Sequence, residues 1–173
     1  ANGLVKVVFD ESDLPLSTWG ASSSVNGEMG LFTNCTNLKE VDFGGRAVSL
    51  GTYAFLGCTS LTTITWEDIV NIDGGSVFRY CSSLVNVTLP DGLAKINDYA
   101  FDGCTSLQSI TIPASVKEFN RNAFSNCTSL KTVIIEDGVL FGSNAVSHFE
   151  NCTALTSVKL PSTVTSLPGS MFK

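Results

Sequence analysis

"AFDGCTSLQSITIPASVKEFNRN", residues 100–122, is a phrase that this chain writes over and over. Phe101 is one of a series, Phe32, Phe55, Phe78, Phe101, Phe124, Phe149 and Phe172. They recur at roughly 23 residues, with one step of about 25, and a near-constant period of this length marks a solenoid or array. A cysteine stands three places after each of the first six, at Cys35, Cys58, Cys81, Cys104, Cys127 and Cys152. "CTSL" is spelled identically at Cys58–Leu61, Cys104–Leu107 and Cys127–Leu130. The repeat therefore has to be read before any single element is assigned.

Inside the repeat, "LQSITI" (107–112) has the form L-x-x-I-x-I. So do "LKEVDF" (38–43), "LTTITW" (61–66), "LVNVTL" (84–89), "LKTVII" (130–135) and "LTSVKL" (155–160). Their last four residues alternate with period two and are rich in β-branched types, so each predicts a short strand with one buried face. Pro90, Pro113 and Pro161 follow at once and end the strand, because proline has no N–H for a ladder. An apolar pair such as Val116 and Phe119 brings the chain back over the core. The N-x-x-A-F-x-x-C segment then predicts a short helical turn, with Asn97 and Asn120 as caps. Gly57, Gly103, Asn34, Asn126 and Asn151 share one slot before Cys, and the tolerance of Gly and Asn for positive φ predicts a left-handed residue there. A single coil buries too little to offset its own ordering, so the coils must stack, with successive strands parallel.

The six cysteines admit two readings. Adjacent coils lie about 4.8 Å apart, within the Cα range of a disulfide. Yet every Cys occupies the same inward slot, between a buried Phe and a buried Leu, where a small soft side chain packs well. Pairing would also impose a two-repeat period that the sequence lacks, so free buried thiols are the expectation. No C-x-x-C or Cys/His spacing suggests a metal. The lone His148 fills the slot of Ala100 and Ala123 and reads as a tolerated substitution rather than a base.

Composition limits the partners. Of the whole chain 43% is hydrophobic and 15% charged, with a formal net charge of −6, which disfavours phosphate backbones and anionic membranes. No run is apolar and long enough to span a bilayer. "ANGLVKVVF" at the start lacks the basic region of a signal peptide.

"AFDGCTSLQSITIPASVKEF" closely resembles the repeat of the BspA-like leucine-rich repeat family, and the resemblance runs over residues 31–173. It implies a leucine-rich-repeat solenoid, a right-handed superhelix with short parallel strands on the concave face and short helical or 3-10 turns on the convex face. It also implies a bacterial surface or secreted protein and adhesion to host or matrix proteins. No functional residue is fixed across that family. This chain departs from the pattern at Phe119 and Asn120, in "WEDIVNIDGG" (66–75) and in the longer "IIEDGVLFGSNAVSHF" (134–149).

Residues 1–31 are expected to form an N-terminal cap around a degenerate first strand in "LVKVVF" (4–9), with Trp19 over the end of the stack. "DESD" (10–13) lacks the spacing of a calcium loop and reads as a solvated turn. Residues 32–173 are expected to be the solenoid of about six 23-residue repeats, the last cut at its start. That leaves an uncapped C-terminal repeat suited to end-to-end or edge dimerisation.

Two columns should face outward from the strands. One is Glu40, Thr63, Asn86, Ser109, Thr132 and Ser157; the other is Asp42, Thr65, Thr88, Thr111, Ile134 and Lys159. Their hydroxyls and amides suit a glycan or an extended peptide, although Thr is also simply at home on exposed strands. Four N-x-T sequons, at Asn34, Asn86, Asn126 and Asn151, follow from the repeat phrase in three cases. The expected function is a non-catalytic surface or secreted binding module for a host or extracellular protein or glycan. Spacer repeats in a larger surface protein are the alternative. No catalytic or metal-binding residue and no cofactor is expected; one His and scattered carboxylates do not converge as an enzyme requires.

Overall fold

The computed structural model describes residues 5–8, 30–141 and 145–173. Trp19 and "DESD" lie outside the described residues. The strands in chain order are β1 (Lys6–Val8), β2 (Glu40–Asp42), β3 (Val48–Leu50), β4 (Thr63–Ile64), β5 (Ile69–Ile72), β6 (Lys95–Ile96), β7 (Ser109–Ile112), β8 (Glu118–Phe119), β9 (Thr132–Ile135) and β10 (Ser157–Lys159).

The strand predicted from L-x-x-I-x-I appears in two parallel sheets. One has the order β1-β2-β4, the other β10-β9-β7. Lys6, Val7 and Val8 pair in register with Glu40, Val41 and Asp42. The apolar pair after this strand is also extended: β3 pairs with β5, and β6 with β8, again parallel. A coil thus presents a first-strand face, a second-strand face and a turn edge.

The turn edge departs from the expectation of helical turns. The sole helical piece among the described residues is a 3-10 turn at Trp66–Asp68, directly after β4. In the A-F-x-x-C segment, left-handed residues stand two before and two after Phe: Tyr53 and Gly57 at φ 61° and 71°, Tyr99 and Gly103 at 56° and 75°. A helix needs a run of right-handed residues, so this alternation forbids it. It aims every second N–H along the stack instead. Tyr53, Phe55 and Gly57 donate to the carbonyls of Gly75, Val77 and Arg79 in the next coil at 3.1, 2.9 and 2.8 Å. The Gly/Asn slot is left-handed as expected, with Asn34, Asn126 and Asn151 at φ 57°, 58° and 58°. Gly103 has a second reason to be glycine: a Cβ there would lie 2.5 Å from the Tyr80 ring. The asparagines expected as caps bridge coils instead. Asn97 Nδ2 donates to the Ile72 and Asp73 carbonyls at 3.2 and 2.8 Å, and Asn120 Nδ2 to Asn97 Oδ1 at 3.2 Å.

The core is one continuous column. Phe32, Phe55, Phe78, Phe101, Phe124, Phe149 and Phe172 stack with successive centroids 5.2, 5.4, 5.2, 5.0, 5.8 and 5.6 Å apart. Leu38, Leu61, Leu84, Leu107 and Leu130 are fully buried beside them.

One predicted strand is missing. "LVNVTL" (84–89), in the coil headed by Phe78, pairs with neither β4 nor β7. The N–H of the residue after the leading Leu donates to the preceding coil at Lys39, Thr62, Lys131 and Thr156. At Val85 and Gln108 it does not. The physical reason lies one coil back. Trp66 occupies the slot that is Leu89, Ile112 and Ile135 elsewhere, and its indole reaches Phe78 at 5.2 Å and Phe101 at 6.3 Å. That ring is bulkier than the aliphatic side chain in the same slot of the Phe78 and Phe101 coils, and a close-packed interior must shift around it where the ladder lapses.

Candidate binding surface

The first-strand face leaves every expected contact residue outside the core. Glu40 stands beside Thr63; Ser109, Thr132 and Ser157 align; Thr111, Ile134 and Lys159 align. Asn86 and Thr88 lie on the unpaired stretch, both exposed. The two continuous columns expected from the sequence are therefore two registered blocks separated by a gap.

Several of these side chains already have partners. Lys6 Nζ donates to Glu40 Oε1 at 2.6 Å, and that bond raises the lysine above its ordinary pKa. Asp42 Oδ1 accepts the Gly44 N–H at 2.9 Å, and Thr65 Oγ1 accepts the Phe43 N–H at 3.0 Å. Ser109, Thr111, Ser157 and Lys159 are exposed. Their outward position follows from period-two alternation: Ile110, Ile112, Val133 and Ile135 turn inward.

At the gap, a cleft of about 250 Å³ opens between one coil, with Thr88, Leu89 and Asp91, and the next, with Ser109 and Thr111. A larger groove of about 480 Å³ runs along the outer side of the Phe149 coil, lined by Cys152, Leu155, Val158, Leu160 and Phe172 among others.

All six cysteines are free and buried, as expected. They are more than filler. Cys58, Cys81, Cys104 and Cys127 each donate Sγ–H to a Phe carbonyl of the preceding coil, at 3.0, 3.2, 3.2 and 3.2 Å. Cys152 donates likewise to Phe124 at 3.2 Å. Burial pushes the Cys58 thiol up to about 12 and Cys152 to about 11, and Cys81, Cys104 and Cys127 well above their usual value. Protonated thiols with a carbonyl partner are poor nucleophiles. The spacing alone showed inward cysteines; the S–H bond became legible only once the preceding Phe carbonyl could be placed.

His148 is fully buried, with Nε2 3.1 Å from the Phe119 carbonyl and its ring edge-on to Phe119 at 4.2 Å. Burial lowers its pKa and favours the neutral imidazole. It serves packing in the longer coil, not a surface site.

The turn edge carries a polar network that sequence reading missed. Arg79 Nε donates to buried Asp102 Oδ2 at 2.7 Å, Asn126 Nδ2 to Asp102 Oδ1 at 2.7 Å, and Asn151 Nδ2 to Asn126 Oδ1 at 3.0 Å. The Arg79 guanidinium lies over Tyr80 and Tyr99, 4.7 and 4.8 Å from the ring centroids. Tyr99 is half-buried, while Tyr53 is exposed. The spacing of Arg79 and Asp102 by one repeat was the available signal. Among the described residues there is no group of three potential metal ligands, and no helix long and apolar enough to cross a membrane.

Among solved structures, the chain is similar to a T. pallidum leucine-rich repeat protein, with 25% identity and a TM-score of 0.75, over 96% of this chain and 73% of that one. A leucine-rich cell surface protein from Faecalibacterium prausnitzii A2-165 is 22% identical with a TM-score of 0.35, over 83% of this chain and 60% of that one. A leucine-rich repeat protein from Bacteroides ovatus ATCC 8483 is 18% identical with a TM-score of 0.27, over 83% of this chain and 66% of that one. No curated protein matches the chain. The BspA type leucine-rich repeat region matches in six copies, over residues 21–131 and 74–173. The stacked parallel strands, the Phe–Cys turn and this match agree: the chain belongs to the BspA-type leucine-rich repeat family.

Proposed function

We propose that the protein is a non-catalytic binding module, placed outside the cell or on its surface, that engages a host or extracellular protein or glycan through its first-strand face. The observation carrying this reading is the alignment of Ser109, Thr132 and Ser157 and of Thr111, Ile134 and Lys159. These side chains stand in fixed register, outside a core that immobilises their backbone. Preorganised polar groups lower the entropy cost of binding. The groups best suited to catalysis are buried, and Cys58, Cys81, Cys104, Cys127, Cys152 and His148 are each bonded to a backbone carbonyl.

The test is capture of immobilised extracellular-matrix proteins and an array of glycans by the purified chain. Asp42→Lys with Thr88→Lys alters this face without touching the core. Retention that falls about tenfold or more supports the reading, a change of about 1.4 kcal/mol. Retention of a ligand that ignores this variant moves the site to another face and leaves these repeats as a spacer of a larger surface protein. The outer edge of β10, with its groove of about 480 Å³ and half-exposed Phe172, we assign to a second copy of the chain. A species that sediments as a monomer at all concentrations removes that assignment.

A further inference from the structure

The break in the Phe78 coil leaves polar groups that the other coils satisfy. The backbone N–H and C=O groups of residues 85–89 take part in none of the hydrogen bonds among the described residues. The edges of β4 and β7 that face this stretch are open for the same reason. Backbone donors and acceptors are seldom left unpaired, so water or a ligand must serve them.

The cleft at this break, about 250 Å³, adds a defined chemistry. Thr88, Ser109 and Thr111 bring hydroxyls that both donate and accept, and Asp91 and Glu136 bring carboxylates. Neither acid belongs to the four ion pairs among the described residues. Glu136 is held in place by one bond, accepting the Ala114 N–H at 3.0 Å through Oε2. Ile110 and Pro113 add a small apolar wall.

We propose that this cleft is a saccharide subsite that takes one neutral sugar ring. The inference rests on the binding-module reading above and names its ligand class. An anion would meet Asp91 and Glu136. A lone cation has no acceptors and leaves the unpaired N–H groups unserved. A sugar ring carries donors and acceptors on its rim for the hydroxyls, carboxylates and open backbone, and C–H groups for the aliphatic wall. The volume lies below the roughly 300–1,000 Å³ of sites for drug-sized ligands, which suits a single ring. Trp66 is the positioning residue: its indole packs against Phe78 and Phe101, the phenylalanines of the two coils between which the cleft opens, where those coils themselves carry only Leu89 and Ile112 in the same slot.

The experiment titrates the isotope-labelled chain with glucose, galactose, mannose and N-acetylglucosamine, and with a peptide containing lysine and arginine. Amide shifts confined to residues 85–91 and 109–112 with at least one sugar are the expected result. Asp91→Asn should weaken that sugar by about tenfold, the loss of one charge-assisted hydrogen bond. Trp66→Leu, which lets the strand close, should remove the response while the amides of β9 and β10 keep their positions. Thr128→Ala, exposed and outside the cleft, should change nothing. Silence from all four sugars overturns the proposal. So does a response to the peptide alone, which makes the cleft a site for basic side chains. If the sugars fail but Asp42→Lys with Thr88→Lys still abolishes capture, the binding-module reading stands and only the subsite falls.

Discussion

At the turn edge, each of Phe32, Phe55, Phe78, Phe101, Phe124 and Phe149 donates its N–H to the coil ahead, at 2.8 or 2.9 Å. On the first-strand face, the same coils pair at Glu40 with Thr63 and at Ser109 with Thr132, and the pairing lapses between those two. The two sides keep their regularity by different means. The turn ladder is a property of the main chain, set by left-handed residues flanking Phe, and it accepts Tyr, Ser, Asn or Gly in those slots. The strand ladder depends on how the inward side chains of successive coils pack, and it lapses in the coil beside Trp66.

Damage to the turn edge should therefore be the more severe. Phe101 is fully buried between Phe78 and Phe124. Phe101→Ala should cost about 3–5 kcal/mol, read from urea unfolding. Thr111→Ala, exposed on the strand face, should stay within about 0.5 kcal/mol. Equal costs would erase the contrast between the two sides. Gly74→Ala comes next. A Cβ there would run into the backbone of Gly51 and Thr52, and the Gly74 N–H already donates to the Leu50 carbonyl at 3.1 Å. Neither stretch of backbone yields cheaply, so about 1–3 kcal/mol should be lost.

The thiols of the turn edge add a contrast in pH. Cys58, Cys81, Cys104, Cys127 and Cys152 are held above their ordinary pKa of 9.0 in the folded chain, Cys58 at about 12 and Cys152 at about 11. The unfolded chain releases these protons first, so it binds fewer of them and stability falls with rising pH. The contribution is complete below about pH 9 and drains away as pH climbs toward the folded values. Each group that has titrated in the unfolded chain alone adds a slope of about 1.4 kcal/mol per pH unit. Unfolding free energy should drop between about pH 9 and about pH 11, and Cys104→Ala should flatten that drop by one cysteine's share. An unchanged slope would mean that Cys104 is not a protonated donor in the folded chain.

Much of this was legible in the sequence because a solenoid is nearly one-dimensional. The Phe–Cys period gives the stack, and period two gives which side of each strand is wet. Left-handed Gly57 and Asn126 were legible from their chemistry. Left-handed Tyr53, Tyr80 and Tyr99 were not, since positive φ is uncommon for tyrosine and is imposed here by the inter-coil bonds. A helical turn was the natural reading of A-F-x-x-C for that reason. The polar face was legible as a set of residues, but not its division into two blocks. "LVNVTL" is as good a strand sequence as "LQSITI". What separates them is Trp66, which lies well upstream of Leu84 and acts from the neighbouring coil, beyond the reach of local pattern.

The smallest effect discriminates best, because it leaves global stability aside. Val87 and Val133 occupy the same slot of the repeat, yet Val133 sits in the ladder and Val87 does not. Hydrogen exchange reports local opening. Amides of residues 85–89 should exchange quickly, while those of Phe78 and Phe101, which bracket them in the turn ladder, exchange only with larger opening. A Trp66→Leu chain should protect residues 85–89 and leave the turn amides as they were. Its core loses indole contacts, so its overall stability falls even as this one strand gains protection, and the two changes carry opposite signs. If the amides of 85–89 were as protected as those of β9 in the unaltered chain, the strand face would be continuous, and the turn edge would lose its standing as the more regular side.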